Sequence, residues 1–490
     1  MLLLGIDLGT SSIKVSVVNA ETQRRIASAQ YPDQETAIKS VHTGWAEQSP
    51  ETWWQNIKEA IKKLNETRTF DPKDIAAIGI AYQMHGLVIV DRNQDVLRDS
   101  IIWCDSRAVE TGNLAFEKIG RERCLQCLLN SPGNFTASKL AWVKENEPKI
   151  YERGYKIMLP GDFVAMKLTG DITTTSSALS EGIFWDFQKN ELSEDIMNCF
   201  GFDKGLIPDI KKVFSIHGYL SAEVAKEISL AQGIPVSYKA GDQLNNGISL
   251  NVFQPGEVAA TAGTSGVIYA VTDKLFFDKS SRVNPFAHVN HENAEKRLGV
   301  LLCINGTGIM NRWVRDLSGE DYTEMNRLAS HVEPGSDGLI ILPFGNGAER
   351  IFENKLVGAH ILHIDLNKHS KAHLFRATQE GIVFSFRYGL DIMRENGIQP
   401  GIIRVGRANM FLSDLFTEVF VNTTNVPIEL YENDGSVGAA LGAGIGGGIY
   451  ASPKEAFTNF NPIKRIDPSE SVKLYDTLYG NWRDELRKFI

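Results

Sequence analysis

One short pattern occurs twice in this chain, about half a length apart, and it restricts the fold more than any other feature. Residues 2–8 and 13–18 are largely apolar, and Gly9-Thr10-Ser11-Ser12 lies between them. Two β-prone runs joined by a Gly/Thr/Ser turn read as a hairpin. The same construction returns at residues 257–271, where Gly263-Thr264-Ser265-Gly266 forms the joint. A repeat at this distance predicts two similar lobes with a cleft between them.

Between and after the hairpins, helical and extended patterns alternate, which predicts an α/β fold. Residues 53–64 and 140–147 carry helical spacing, and residues 75–82 and 87–90 read as strands. A longer helix is expected over 375–393, with Gly381 and Gly389 as points of close packing. Gly241, Gly247 and Pro255 punctuate the middle, so the lobes are expected at 1–245 and 246–490. With 490 residues, 43% hydrophobic and 23% charged, the chain can bury a core in each.

A formal charge of -9 argues against broad binding to nucleic acid or an anionic membrane, while leaving room for a local basic pocket. The five cysteines are odd in number and scattered, which fits a reducing compartment. The first residues lack a basic stretch before Asp7, and the glycine-rich run at 437–450 is shorter than the roughly 20 residues a membrane crossing needs. The expectation is a soluble, cytoplasmic chain, ordered from end to end. Cys124-Leu-Gln-Cys127 has no second pair, and His288-Val-Asn-His291 sits on an apparent strand-to-loop segment, so neither is read as a metal site.

A Gly/Thr/Ser turn between strands gathers backbone N–H groups and hydroxyls in a small concavity suited to phosphate oxygens. Two such turns, Gly9, Thr10, Ser11 and Ser12 on one side and Gly263, Thr264 and Ser265 on the other, can grip ATP across a cleft. Asp7 stands beside the first and is a candidate ligand for Mg²⁺, directly or through water. Neither turn has the Gly-Lys-Ser/Thr ending of a Walker loop.

Gly5-Ile6-Asp7-Leu8-Gly9-Thr10-Ser11-Ser12-Ile13-Lys14 resembles the first phosphate motif of the FGGY family of sugar kinases. Further blocks agree in order along nearly the whole chain. They include Gly44-Trp45-Ala46-Glu47-Gln48, Gln83-Met84-His85-Gly86, Trp103-Cys104-Asp105-Ser106-Arg107, Gly241-Asp242-Gln243 and Leu342-Pro343-Phe344-Gly345. Gln-Met-His-Gly followed by Trp-Cys-Asp-Ser-Arg is most similar to the xylulose-kinase branch. The resemblance implies two lobes of the actin, hexokinase and heat-shock-chaperone (ribonuclease H-like) ATPase type, the first for sugar and the second for nucleotide. It also implies transfer of the ATP γ-phosphoryl to a sugar hydroxyl, D-xylulose to D-xylulose 5-phosphate in that branch.

The same resemblance makes Asp242 the catalytic base, with Asp7 beside it, and Met84 and His85 the substrate pair, joined by Gln83, Trp103, Asp105 and Asn245. Trp103 reads equally as core, Asp105 as a partner of Arg107, and Asn245 as a turn residue. On the nucleotide side it implies Lys14, Gly308 and Gly406. The adenosine stretch departs from the family's Gly-Gly-Gly-Ala, standing here as Gly406-Arg407-Ala408-Asn409. Two alternatives stay open: a kinase for ribulose, glycerol or a deoxyketose, and a nucleotide-switched binding protein of the actin or chaperone kind. The expected partner is a small sugar, and a homodimer is allowed.

Overall fold

Leu2, Leu4, Ile6 and Leu8 fall on one face of the first strand and Leu3 on the other, and all are buried. A strand apolar on both faces belongs in the middle of a sheet covered on both sides. The computed structural model, which describes all residues except Asn293 and Asn433, places it there. Strand β1 (Leu2–Leu8) pairs antiparallel with β2 (Ile13–Asn19), which pairs antiparallel with β3 (Arg25–Tyr31). On its other side β1 runs parallel to β4 (Ile75–Tyr82), and β4 parallel to β5 (Pro235–Gly241).

The second sheet repeats this plan. Strand β6 (Glu257–Ala262) pairs antiparallel with β7 (Gly266–Thr272), and β7 with β8 (Leu298–Ile304). Strand β6 also runs parallel to β9 (Ile402–Gly406), and β9 to β10 (Ile428–Tyr431). The order β3-β2-β1-β4-β5 therefore matches β8-β7-β6-β9-β10 in sequence and direction. The repeat legible in two turns extends through both five-strand cores.

Helix α1 (Pro50–Glu66) buries Trp53, Ile57, Ala60, Ile61 and Leu64 on β2 and β3, the i, i+3, i+4 stripe of an amphipathic helix. It outruns the expected 53–64 because Pro50 is tolerated in the first turn. The helix expected at 140–147 runs Thr136–Asn146, and the later helix runs Lys371–Glu395, starting earlier because Ser370 and His373 form a capping box. Gly381 lies against that helix's neighbour so closely that a Cβ there would stand 2.3 Å from the Ile341 carbonyl oxygen.

Two helices join the lobes. Helix α2 (Asp242–Ser249) leaves β5 and touches β6 and β7, while α3 (Gly435–Gly446) leaves β10 and lies on β1, β4 and β5 of the first sheet. The contact of α3 is backbone on backbone: a Cβ on Gly5 would stand 1.7 Å from the Ser436 carbonyl oxygen, and one on Gly79 1.9 Å from that of Ala439. Helices α2 and α3 pack on each other, Gly438 against Ser249. Among the described residues no helix is long and apolar enough to cross a membrane.

Candidate active site

Asp242 opens α2 in the cleft. Its position depends on Gly241, where a Cβ would stand 2.5 Å from Glu181 Oε2 and 2.6 Å from Met84 Cγ. The cavity it faces, about 480 Å³, takes Thr10, Met84, His85 and Trp103 from the first lobe and Ser265, Cys303 and Arg350 from the second. Thr10 of the first turn, Ser265 of the second, and Met84, His85 and Trp103 of the expected sugar residues thus meet Asp242 in one space.

Two carboxylates work against each other here. Burial first, and then the charge of Asp7, pushes the Asp242 carboxyl up to about 7, while hydrogen bonds from Gln243 pull it down. Asp7 is pushed up to about 6 by burial and then by Asp434, against the Lys14 ammonium. The helix N-terminus favours the anionic form of Asp242. A carboxylate that releases its proton near neutrality is matched to general-base work at neutral pH. This concentration of imperfectly compensated negative charge also suits a divalent cation, which takes one or two protein carboxylates and completes its shell from water and phosphate.

His85 sits at a left-handed backbone position, φ 62°, just after β4. Burial first, then the charges of Lys139 and Arg350, holds its pKa down at about 3, so the ring is neutral. Its Nδ1 lies 2.9 Å from the Glu181 carbonyl, which only accepts, so Nδ1 carries the proton and Nε2 is left as an acceptor. Lys139, wholly buried, donates to the carbonyls of His85 at 2.9 Å and Ile102 at 3.0 Å and so joins both sugar-side segments.

Trp103 is 53% exposed at the cavity wall, and its Nε1 donates to Thr10 Oγ1 at 2.9 Å. Gln83 lies behind that hydroxyl instead of facing the cavity. It accepts from Thr10 Oγ1 at 3.2 Å and donates to Gln48 at 3.0 Å, so it orients the turn. Asp105 also faces inward, ion-paired with Arg107 at 2.7 Å and accepting from the Ala46 amide, because a buried carboxylate goes to the nearest guanidinium. Asn245 is a clasp between helices, donating to the Gly435 carbonyl at 2.8 Å and accepting from Tyr238.

A second cavity, about 350 Å³, lies behind the second turn and is lined by Gly263, Thr264, Gly308, Asn311, Gln379 and Asn409 among others. Gly308 donates its N–H to the Gly263 carbonyl at 3.1 Å, and a Cβ there would stand 2.2 Å from that oxygen. Gly406 is outside this wall. It ends β9, buried, and the chain reaches the cavity three residues later through Asn409 at φ 53°. In the first turn only Thr10 reaches the cleft: Gly9 and Ser12 close the turn at 3.1 Å, Ser12 Oγ accepts from Gln30, and the Ser11 carbonyl accepts from Thr36. Lys14 lines neither cavity and pairs with Asp434, 2.6 Å distant.

Asn134, Asn284, Cys303 and Arg350 in the first cavity, and Asn311, Tyr322, Asn326 and Gln379 in the second, were not legible as site residues. They come from strands, loops and helices spread along the chain, without a shared local pattern. Elsewhere, ligand atoms of Cys127, Asp186 and Asp195 gather within 4.8 Å, but Asp195 is held by Arg123 at 2.6 Å, which occupies the carboxylate with a fixed cation.

Duplicated five-strand cores, joining helices and a carboxylate between paired turns define the two-lobed ATPase class of actin and hexokinase. Within it, the chain belongs to the FGGY family of carbohydrate kinases: the family's N-terminal domain matches residues 2–248 and its C-terminal domain residues 258–447. It is 28% identical to the xylulose kinase of Escherichia coli K12, over 95% of this chain and 93% of that one. Its fold is similar to the crystal structure of xylulose kinase from Rhodospirillum rubrum, TM-score 0.89 at 23% identity, over 100% and 99% of the two chains. It is equally similar to the crystal structure of Plasmodium falciparum glycerol kinase with ADP, TM-score 0.90 at 20% identity, over 100% and 98%.

Proposed function

We propose that the chain transfers the γ-phosphoryl group of ATP to a ketopentose, converting D-xylulose to D-xylulose 5-phosphate, with Asp242 as the base. The observation that carries this is the meeting of Asp242, His85, Met84, Thr10 and Ser265 around one cavity. The xylulose kinases among its relatives support the choice of sugar.

The sugar's terminal hydroxyl lies against Asp242, which accepts its proton as the oxygen bonds to the γ-phosphorus. The bond from that phosphorus to the β,γ-bridging oxygen breaks, and ADP leaves with the electron pair. Phosphoryl transfer needs alignment and charge stabilisation more than covalent help. His85 Nε2 accepts from a sugar hydroxyl, while Met84 packs on the C–H face. Thr10 of the first turn and the amides and hydroxyls of the second hold the phosphates, with Thr264 and Gly308 on the nucleotide side. Asp7, with Asp242 near it, would hold Mg²⁺, which when bound neutralises phosphate charge. The chain's expected setting is reducing and cytoplasmic, a reading that the five free thiols support.

The test is ADP release over a panel of ketoses and polyols with ATP and Mg²⁺. D-xylulose is expected to give the highest kcat/KM. Strong turnover of ribulose or glycerol with none of xylulose would overturn the choice of sugar, and sugar-independent ATP turnover would overturn the kinase reading.

A further inference from the structure

The sugar cavity holds a cation that the transfer step leaves unused. Arg350 begins a short turn, Arg350–Phe352, in the second lobe and lines the cavity with His85. Its Nε donates to the Ser281 carbonyl at 2.7 Å, and among the described residues no carboxylate pairs with it. Its neighbour Glu349 turns the other way and accepts from the amides of Asn305 and Gly306, at 2.9 and 2.8 Å. The remaining N–H groups of the fork have no protein acceptor among the described residues. A guanidinium stays charged, so leaving it in a partly buried wall without an acceptor is costly.

Acceptors are also left over in the same wall. The carboxamide oxygens of Asn134 and Asn284 are buried without a donor among the described residues. Unused donors and unused acceptors around one cavity are the complement of a small ligand rich in oxygen.

Arg350 also has a definite end of the cavity. Helix α2, which Asp242 opens, touches β6 and β7, whereas the turn Arg350–Phe352 packs on β8, the next strand out in that sheet. Arg350 therefore reaches the cavity from beyond β7, on the side away from the base. A five-carbon sugar with its terminal hydroxyl at Asp242 directs its other end to Arg350.

We propose that Arg350 determines specificity by donating to the carbonyl oxygen of a ketose, at the end of the sugar opposite the phosphorylated hydroxyl. The guanidinium can only donate, and a carbonyl oxygen can only accept. A hydroxyl in its place brings a proton for which Arg350 has no acceptor, so a ketose is favoured over the matching pentitol. This inference rests on the ketose-kinase reading of the cleft.

The experiment is calorimetric titration of D-xylulose, and of the two pentitols made by reducing its carbonyl, into wild type, Arg350→Met and Arg350→Lys. In Arg350→Met, ketose affinity is expected to fall about tenfold or more, the worth of a charge-assisted hydrogen bond, and pentitol affinity by less than about threefold. The KM for ATP stays unchanged. Arg350→Lys, which keeps the charge and loses the fork, falls between and gives the same ratio should the Met variant not fold. Equal weakening of ketose and pentitols in both folded variants, or no change in either, would overturn the assignment, because a merely structural residue moves all three ligands together. Wild type binding none of the three would instead overturn the sugar reading on which it rests.

Discussion

The hairpins Leu2–Asn19 and Glu257–Thr272 are the same piece of backbone carrying different charge. Where the first has Asp7, two residues before its turn glycine, the second has Thr261; where the first has Lys14 opposite Asp7 on the returning strand, the second has half-buried Val267 opposite Thr261. The first turn is tied to its own lobe through Thr10, Gln83 and Gln48. The second is pressed against the start of the helix Gly308–Ser318 and backs onto the roughly adenosine-sized cavity of 350 Å³. Duplication thus supplies two turns of one plan, and on the proposed reading the substitutions within it assign the charge chemistry to one and the nucleotide's body to the other.

Asp242, at the joint between these halves, gives the largest effect. Asp242→Asn keeps the shape but cannot accept the hydroxyl proton, and the transfer rate at saturating sugar and MgATP is expected to fall about 10² to 10⁴-fold. Retention of more than about a tenth of the rate would place the base elsewhere.

Alanine in each turn tests the asymmetry directly. At Gly308 the added Cβ meets a backbone oxygen at 2.2 Å, whereas at Gly9 the nearest atom, the Ser12 carbonyl oxygen, is 3.0 Å away. Gly308→Ala is expected to weaken nucleotide binding by about tenfold or more through overpacking of about 1–3 kcal/mol, and Gly9→Ala by less than about threefold. Similar losses in the two variants would mean that the hairpins share the nucleotide evenly.

Metal addition separates the halves by charge. Above pH 7 both Asp7 and Asp242, pushed up to about 6 and about 7, have released their protons. Magnesium alone should therefore raise the melting temperature at pH 8 and have little effect at pH 5.5. Asp7→Asn should remove the response and Thr261→Val should preserve it. A response that survives Asp7→Asn would move the cation elsewhere.

The smallest effect is on stability itself. Because the Asp242 carboxyl is raised on folding, the folded chain keeps its proton to higher pH than the unfolded chain does. Stability is consequently intact below the unfolded pKa of about 4, declines as pH rises to about 7, and stays lower above it. Asp242→Asn should raise the melting temperature by about 2–4 °C at pH 8 and leave it nearly unchanged at pH 4. A variant that is less stable at pH 8 would show that the charge is compensated in the folded chain.

The sequence by itself determined the two hairpins, the α/β alternation and the identity of Asp242 as a cleft carboxylate, because each depends on residues close together in the chain. A turn, a strand–helix junction and a five-residue block carry their geometry locally. The site's wall depended on tertiary structure. Asp105 reads from the sequence as either a site residue or a partner of Arg107, and the fold decides for the buried ion pair; Asn245 is taken by the Gly435 carbonyl, far away in the chain, and buried. Gly406 ends β9, and the chain must turn before it reaches the second cavity, so Asn409 takes the wall. Arg350, Asn134 and Asn284 have no local signature, and only the meeting of the two lobes sets an unpaired guanidinium and two unpaired carboxamide oxygens around one cavity. Local spacing fixes which backbone forms; which polar groups are left unsatisfied, and so available to a ligand, is settled by every other residue that could have paired with them.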